Sequence, residues 1–362
     1  MDYRGNQPKN TRELAEWLAR EESVTVIEPT LPIVDAHHHL FGSVDDKHFY
    51  RMDDLQQDVN SGHRFIGTVY VEGYEAGWRQ SGPQALRPVG EVERIVGLTA
   101  EPMATVAGPS QVAAGIVCHV DLTLGDAATE VMLAQQTASA GRLRGVRQRA
   151  ATVEGPVGRV NASPPKLHLL TDPQFRRGFA QLDEFGLSFD AWVFHPQLGE
   201  LIGLADAFPN TTIIVNHVAG PVGVGEFRSR RAEVLRQWKE GVFALAARPN
   251  VQMKVGGMGM AVYGFGFEQR DRPATAAELA QAWKPYVETC VEAFGANRCM
   301  FESNFPVDKQ SGSYCELWNA FKLLTQGWSQ AERSDLFYRT ACRAYRLPEL
   351  EQLGHALTGL GR

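Results

Sequence analysis

Eight short runs of β-forming residues, separated by helical or loop segments, constrain this chain more than any other feature. They lie at 33–39, 65–72, 115–122, 143–150, 187–195, 212–217, 251–256 and 299–304. Several are almost unbroken apolar stretches, such as Thr212-Ile213-Ile214-Val215 and Gly115-Ile116-Val117-Cys118, the pattern of strands buried on both faces. Helical patterns lie between them, among them 173–185, 199–208 and 276–294. Strands alternating with helices call for a parallel sheet with helices outside it. Eight such units favour a (β/α)8 barrel, the TIM-barrel form of the α/β class, over a doubly wound sheet. Residues 1–32, with a helix expected at 11–22, read as an N-terminal extension packed on a barrel of residues 33–362.

Composition narrows the functions open to such a barrel. With 362 residues, 44% hydrophobic and 22% charged, the chain can bury a large core unaided. A formal net charge of −6 offers no basic footprint, so neither nucleic acid nor an anionic membrane is an expected partner. No run of 18 apolar residues exists, and the polar first twenty residues lack the apolar centre of a signal peptide. The five cysteines contain no CxxC pair and read as reduced thiols in a cytoplasmic setting. A symmetric homo-oligomer is common at this size.

Polar residues gather at the C-terminal ends of the expected strands, where a barrel enzyme builds its site. His37 and His39 end the first run, sharing one face by the period-two rule, and His38 points the other way. Glu72 ends the second run, and His119 the third. Arg147 and Arg149 lie on the fourth, His195 ends the fifth and His217 the sixth. Lys254 lies on the seventh, Glu302 and Asn304 on the eighth. Histidine is both the commonest metal ligand and the acid/base that works near neutral pH. A lone strand-end histidine is usually structural; four at the ends of three strands point to a site.

The motifs Asp35-Ala-His37-His-His39-Leu, His195-Pro-Gln, Asn216-His217-Val-Ala-Gly-Pro and Ser303-Asn304-Phe-Pro together resemble the amidohydrolase superfamily. The nearer resemblance is to its branch of metal-dependent TIM-barrel hydrolases, which includes sugar lactonases, 2-pyrone-4,6-dicarboxylate lactonase and, more distantly, aromatic-acid decarboxylases. It runs from about residue 33 to the closing segment that ends at Leu347. The resemblance implies that His37, His39 and His195 bind one divalent metal, with zinc expected. It also accommodates a metal-independent route, because the branch contains metal-free members. It further implies a strand-eight aspartate as ligand and base, but that position is Asn304, an amide that cannot take a proton from water. Glu302, two residues earlier, is the expected substitute, ahead of Asp308.

The expected substrate is a small carbonyl compound, a lactone bearing a carboxylate or several hydroxyls. Arg147 and Arg149 would orient an acid group, or else pair with internal carboxylates. Glu72, His119 and Lys254 are further substrate-binding candidates, with Lys254 as a second anion contact. Tyr74, Trp78 and Tyr263 on loops can pack against a ring. In the expected reaction His217 helps to polarise the carbonyl, Glu302 manages the proton and Asn304 lines the site. Two rival readings stand beside this one. The first is a metal-dependent non-oxidative decarboxylase; the second is a barrel that has lost catalysis and binds ligands, which Asn304 favours.

Overall fold

A computed structural model describes residues 3–22, 24–73, 75–160 and 164–359. The eight expected strands are present as β1 (Pro32–His38), β2 (Arg64–Val71), β3 (Gln111–His119), β4 (Leu143–Arg147), β5 (Ser188–Ala191), β6 (Ile213–Val215), β7 (Val251–Val255) and β8 (Cys299–Phe301). They form one parallel sheet in the order β1 to β8, with helices between successive strands. The sheet closes where the chain just past β8 returns to β1. There the His39 amide donates to Phe305 O and the Asn304 amide to His37 O, both at 2.9 Å. This is a (β/α)8 barrel.

The apolar runs make the barrel wall. Ile33, Phe189, Ile213, Met253 and Phe301 are fully buried, each contributing about 1.5–3 kcal/mol through loss of apolar surface from water. Several strands stop short of their apolar runs. β4 ends at Arg147, β5 at Ala191 and β8 at Phe301, and the residues that follow each carry no strand pairing. Helix ends carry local signals. Asp172 caps Pro173–Glu184 and accepts from the amides of Gln174 and Phe175. Thr275 and Glu278 form a capping box at the start of Ala276–Phe294.

The N-terminal helix covers Thr11–Leu18 and stops earlier than expected. It buries Leu14 and Trp17, and the Trp17 indole donates to Arg270 O at 2.8 Å. Among the described residues no helix is long and apolar enough to cross a membrane.

Candidate active site

Histidine packing at the end of β1 sets one wall of the site. The Nε2 atoms of His37 and His39 lie 3.2 Å apart. His39 Nδ1 sits 2.9 Å from Val71 O, which places the proton on Nδ1 and the lone pair on Nε2. His38 faces away and meets the Thr68 hydroxyl at 2.8 Å. Asp35 holds this strand to the residues after β8. It accepts from the Ser303 amide at 2.8 Å, the Ser303 hydroxyl at 2.6 Å and the Tyr314 hydroxyl at 2.8 Å. Burial pushes its carboxyl up to about 6 against the pull of those hydrogen bonds.

A second wall comes from β6 and β8. Glu302 Oε1 accepts from the His217 amide at 3.0 Å and from its Nδ1 at 2.7 Å. Glu302 Oε2 lies 3.0 Å from His37 Nδ1 and makes no hydrogen bond. His217 Nε2 likewise has no hydrogen-bond partner among the described residues. Around His217 the backbone is left-handed through His217, Val218, Ala219 and Gly220. For residues with a Cβ this costs about 1–3 kcal/mol each, strain that clusters at functional sites. Fixed partners hold it. The Trp238 indole donates to Val218 O at 2.6 Å, and the Tyr263 hydroxyl donates to His217 O.

Glycines after β7 make room for the pair. A Cβ on Gly257 would lie 2.3 Å from His217 Nδ1, and one on Gly256 would lie 2.5 Å from Glu302 Cγ. Gly257 also has a positive φ of 67°, so any side chain there would be strained as well as crowded.

Two buried cations flank His37. Lys254 Nζ lies 3.2 Å from His37 Nδ1 and 3.0 Å from Asp190, which also takes the Tyr345 hydroxyl at 2.7 Å. Arg147 Nη1 lies 3.3 Å from His37 Nε2, while its Nε pairs with Glu72 at 2.7 Å. Burial acts to raise the Glu72 carboxyl, and the Arg147 charge outweighs it and holds the group below its ordinary value. Burial, then the Lys254 charge, drives His37 well below the usual imidazole range. Burial takes His39 down to about 3. His217 is lowered by burial, partly offset by Glu302. All three imidazoles are therefore neutral near pH 7, the form that binds a metal.

His37, His217 and Glu302 each offer a ligand atom within 4.8 Å of the others. Three acids (Glu302, Glu72, Asp190) face two bases (Lys254, Arg147) here, so neutral imidazoles leave the cluster one acid in excess. This donor set fits a divalent cation.

The model of the amidohydrolase family matches residues 34–347. The chain belongs to the amidohydrolase family. Among curated relatives of this amidohydrolase, an uncharacterised protein of Sinorhizobium fredii is 38% identical over 176 residues, 48% of this chain and 52% of that protein. An L-fucono-1,5-lactonase of Burkholderia multivorans is 30% identical over 183 residues, 49% of this chain and 57% of the lactonase. The chain thus spans about half the length of these two relatives. A crystal structure of a Burkholderia multivorans amidohydrolase with bound zinc shares the fold, with a TM-score of 0.65 at 23% identity over 87% of this chain and 99% of that one.

Other residues named from the sequence fall in different places in this amidohydrolase. His195 is outside the His37–His217–Glu302 group. It sits in a short turn after β5, not on the strand, with Nδ1 accepting from the Val222 amide at 3.3 Å. Asn304 does not follow strand alternation from Glu302, because β8 has ended and its φ is 53°. Its amide instead donates to Asp308 at 2.7 Å. Asp308 is buried, and burial raises its carboxyl well above the ordinary range.

Arg149 shares no strand face with Arg147, since it lies past the end of β4 and is exposed. Lys254 is not at the mouth: it is fully buried beneath His37. His119 ends β3 and packs on the Trp78 ring at 5.3 Å. Trp78 donates to Glu91 at 3.0 Å. Tyr74 lies outside the described residues. Tyr263 braces His217 through its hydroxyl, where sequence reading had it packing on a ring.

Sequence reading also missed Asp190, Tyr345 and Trp192, whose ring stands 4.6 Å from that of His217. Only Asp190 left a signal, an acid inside the apolar run of β5, which must be paired once buried.

Proposed function

We propose that this amidohydrolase hydrolyses a small, hydroxyl-rich lactone. The observation that carries the proposal is Glu302, a fully buried carboxylate with one oxygen fixed by His217 and the other free of hydrogen bonds beside His37. The lactonase name of one relative supports the bond type. Arg147 spends its guanidinium on Glu72, which favours a polyhydroxylated ring over a second carboxylate.

Glu302 Oε2 takes the proton of the attacking water and returns it to the ring oxygen as the C–O bond breaks, giving one hydroxy acid with no carbon lost. His217 holds Oε1 through two hydrogen bonds and so keeps Oε2 in place. Lys254 lies by one nitrogen of the His37 ring and Arg147 by the other; the neutral ring has one lone pair and accepts from only one of these cations. Were a divalent ion held here, zinc by analogy with the zinc-bound relative, His37 and His217 would be its protein ligands and Glu302 Oε2 would stay open for the proton; the ion would supply Lewis-acid polarisation of the carbonyl.

The test is product analysis on a panel of aldonolactones. Acid release equal to ring opening, without CO₂, supports the lactonase. Release of CO₂ from an aromatic acid, with no lactone opened, would replace it by a decarboxylase.

A further inference from the structure

One large apolar side chain borders the catalytic group and has no part in the proposed proton transfer. Trp192 follows β5, and its ring centre lies 4.6 Å from that of His217 at an interplanar angle of 76°. The His217 ring lies 4.7 Å from that of His37, and His37 lies 4.8 Å from His39. These rings make a row of contacts from the end of β5 to the end of β1, with Trp192 at one end.

Trp192 stands on the inner side of the barrel. Asp190, two residues earlier, pairs with Lys254 beneath His37, and the contact with His217 brings Trp192 to that same side. His37, His39 and His217 are at most 3% exposed, whereas Trp192 is partly exposed. Solvent reaches an inward side chain past the C-terminal end of a barrel strand through the mouth. Trp192 is therefore an apolar surface that a ligand meets on its way to the buried polar group.

The backbone holds that surface in place. The Asn216 amide donates to Ala191 O and the His195 amide to Gly220 O, each at 2.9 Å, so the segment of Trp192 is bonded at both ends to the segment of His217. The Phe194 ring packs on Trp192 at 5.3 Å, and Gln197 Oε1 accepts the Phe194 amide at 3.0 Å. An aromatic wall fixed in advance adds little ordering cost on binding.

The other end of the row is polar, since Arg147, paired with Glu72, stands beside His37. A site with one charged end and one flat apolar end suits a saturated ring that carries hydroxyls around its rim and C–H bonds on its face. Resting on the lactonase reading, we propose that Trp192 is the specificity-determining wall of this site, packing against the C–H face of a six-membered hydroxylated lactone.

Titration calorimetry with the D-gluco, D-galacto and D-manno 1,5-lactams, unreactive analogues of such lactones, tests this on the intact chain. Wild type should bind at least one of them. Trp192→Leu, which keeps apolar bulk but no flat face, should weaken binding about tenfold. Trp192→Phe, which keeps a flat ring, should stay within about threefold of wild type. On a lactone that the wild type opens, Trp192→Leu should raise KM and leave kcat within about threefold. Binding of none of the lactams overturns the inference, as does binding that Trp192→Leu leaves unchanged. A loss of kcat with KM unchanged overturns it too, because Trp192 would then only prop His217. Lactam binding that depends on Trp192, with no lactone opened, would keep the wall and remove the hydrolase reading. Lactone opening that Trp192→Leu leaves intact would do the reverse.

Discussion

His217 Nδ1 and Glu302 Oε1 meet at 2.7 Å although they follow different, non-adjacent strands, β6 and β8. The end of β7 runs between them, and Gly256 and Gly257 keep that passage clear. The pair therefore depends on a third strand that contributes no functional side chain at that point.

Gly257→Ala should break this arrangement. Its Cβ would press on His217 at 2.3 Å in a backbone with positive φ. Activity should fall by about a hundredfold or more, as misplacement of reacting groups by an ångström does. Gly97→Ala is the control, because nothing lies within 4 Å of the added atom and φ is ordinary. That helical site should be neutral or slightly stabilised. Comparing turnover and melting temperature of the two variants checks the claim.

The Arg147–Glu72 pair makes a stability prediction. Both side chains are almost fully buried and joined at 2.7 Å. Glu72→Ala leaves a buried guanidinium without its counter-charge and should cost about 3–5 kcal/mol. Replacing both residues, as Glu72→Leu with Arg147→Met, should recover much of that loss. Urea denaturation of the single and double variants measures it.

His63 predicts a pH dependence. It is buried at the start of β2, with Nδ1 2.7 Å from Lys322 Nζ, and burial takes its pKa down to about 3. The unfolded chain binds this proton near pH 6.5 and the folded chain does not. The contribution is therefore whole above 6.5 and is lost as pH falls toward 3, by about 2 kcal/mol at pH 5. Thermal midpoints at pH 7 and pH 5 should show this drop, and His63→Gln should reduce it.

Much of this molecule could be read from the chain alone, and the reason lies in particular residues. Helix 276–294 was legible to the residue, because Thr275 and Glu278 cap its start and Gly295 follows its end. Strand existence was legible because apolar runs have few other uses. Strand ends were not, since β4, β5 and β8 stop inside their runs where irregular backbone takes over. Barrel geometry put His37, His217 and Glu302 at the same strand ends, but the ligand set expected from the resemblance was His37, His39 and His195, and His195 stands apart in a turn after β5. Positions that rest on tertiary partners were hidden. Neither the burial of Lys254 on Asp190 nor the bond from Asn304 to Asp308 has a local signature.

Whether Glu302 moves the proton is decided by the steady-state kinetics of Glu302→Gln on whichever hydroxyl-rich lactone the wild type opens. Glutamine keeps the shape and an oxygen for His217 but cannot take a proton. Glu302→Gln should lose about a hundredfold or more in kcat with an unchanged melting temperature. A kcat within about threefold of wild type would contradict it and remove Glu302 from the chemistry.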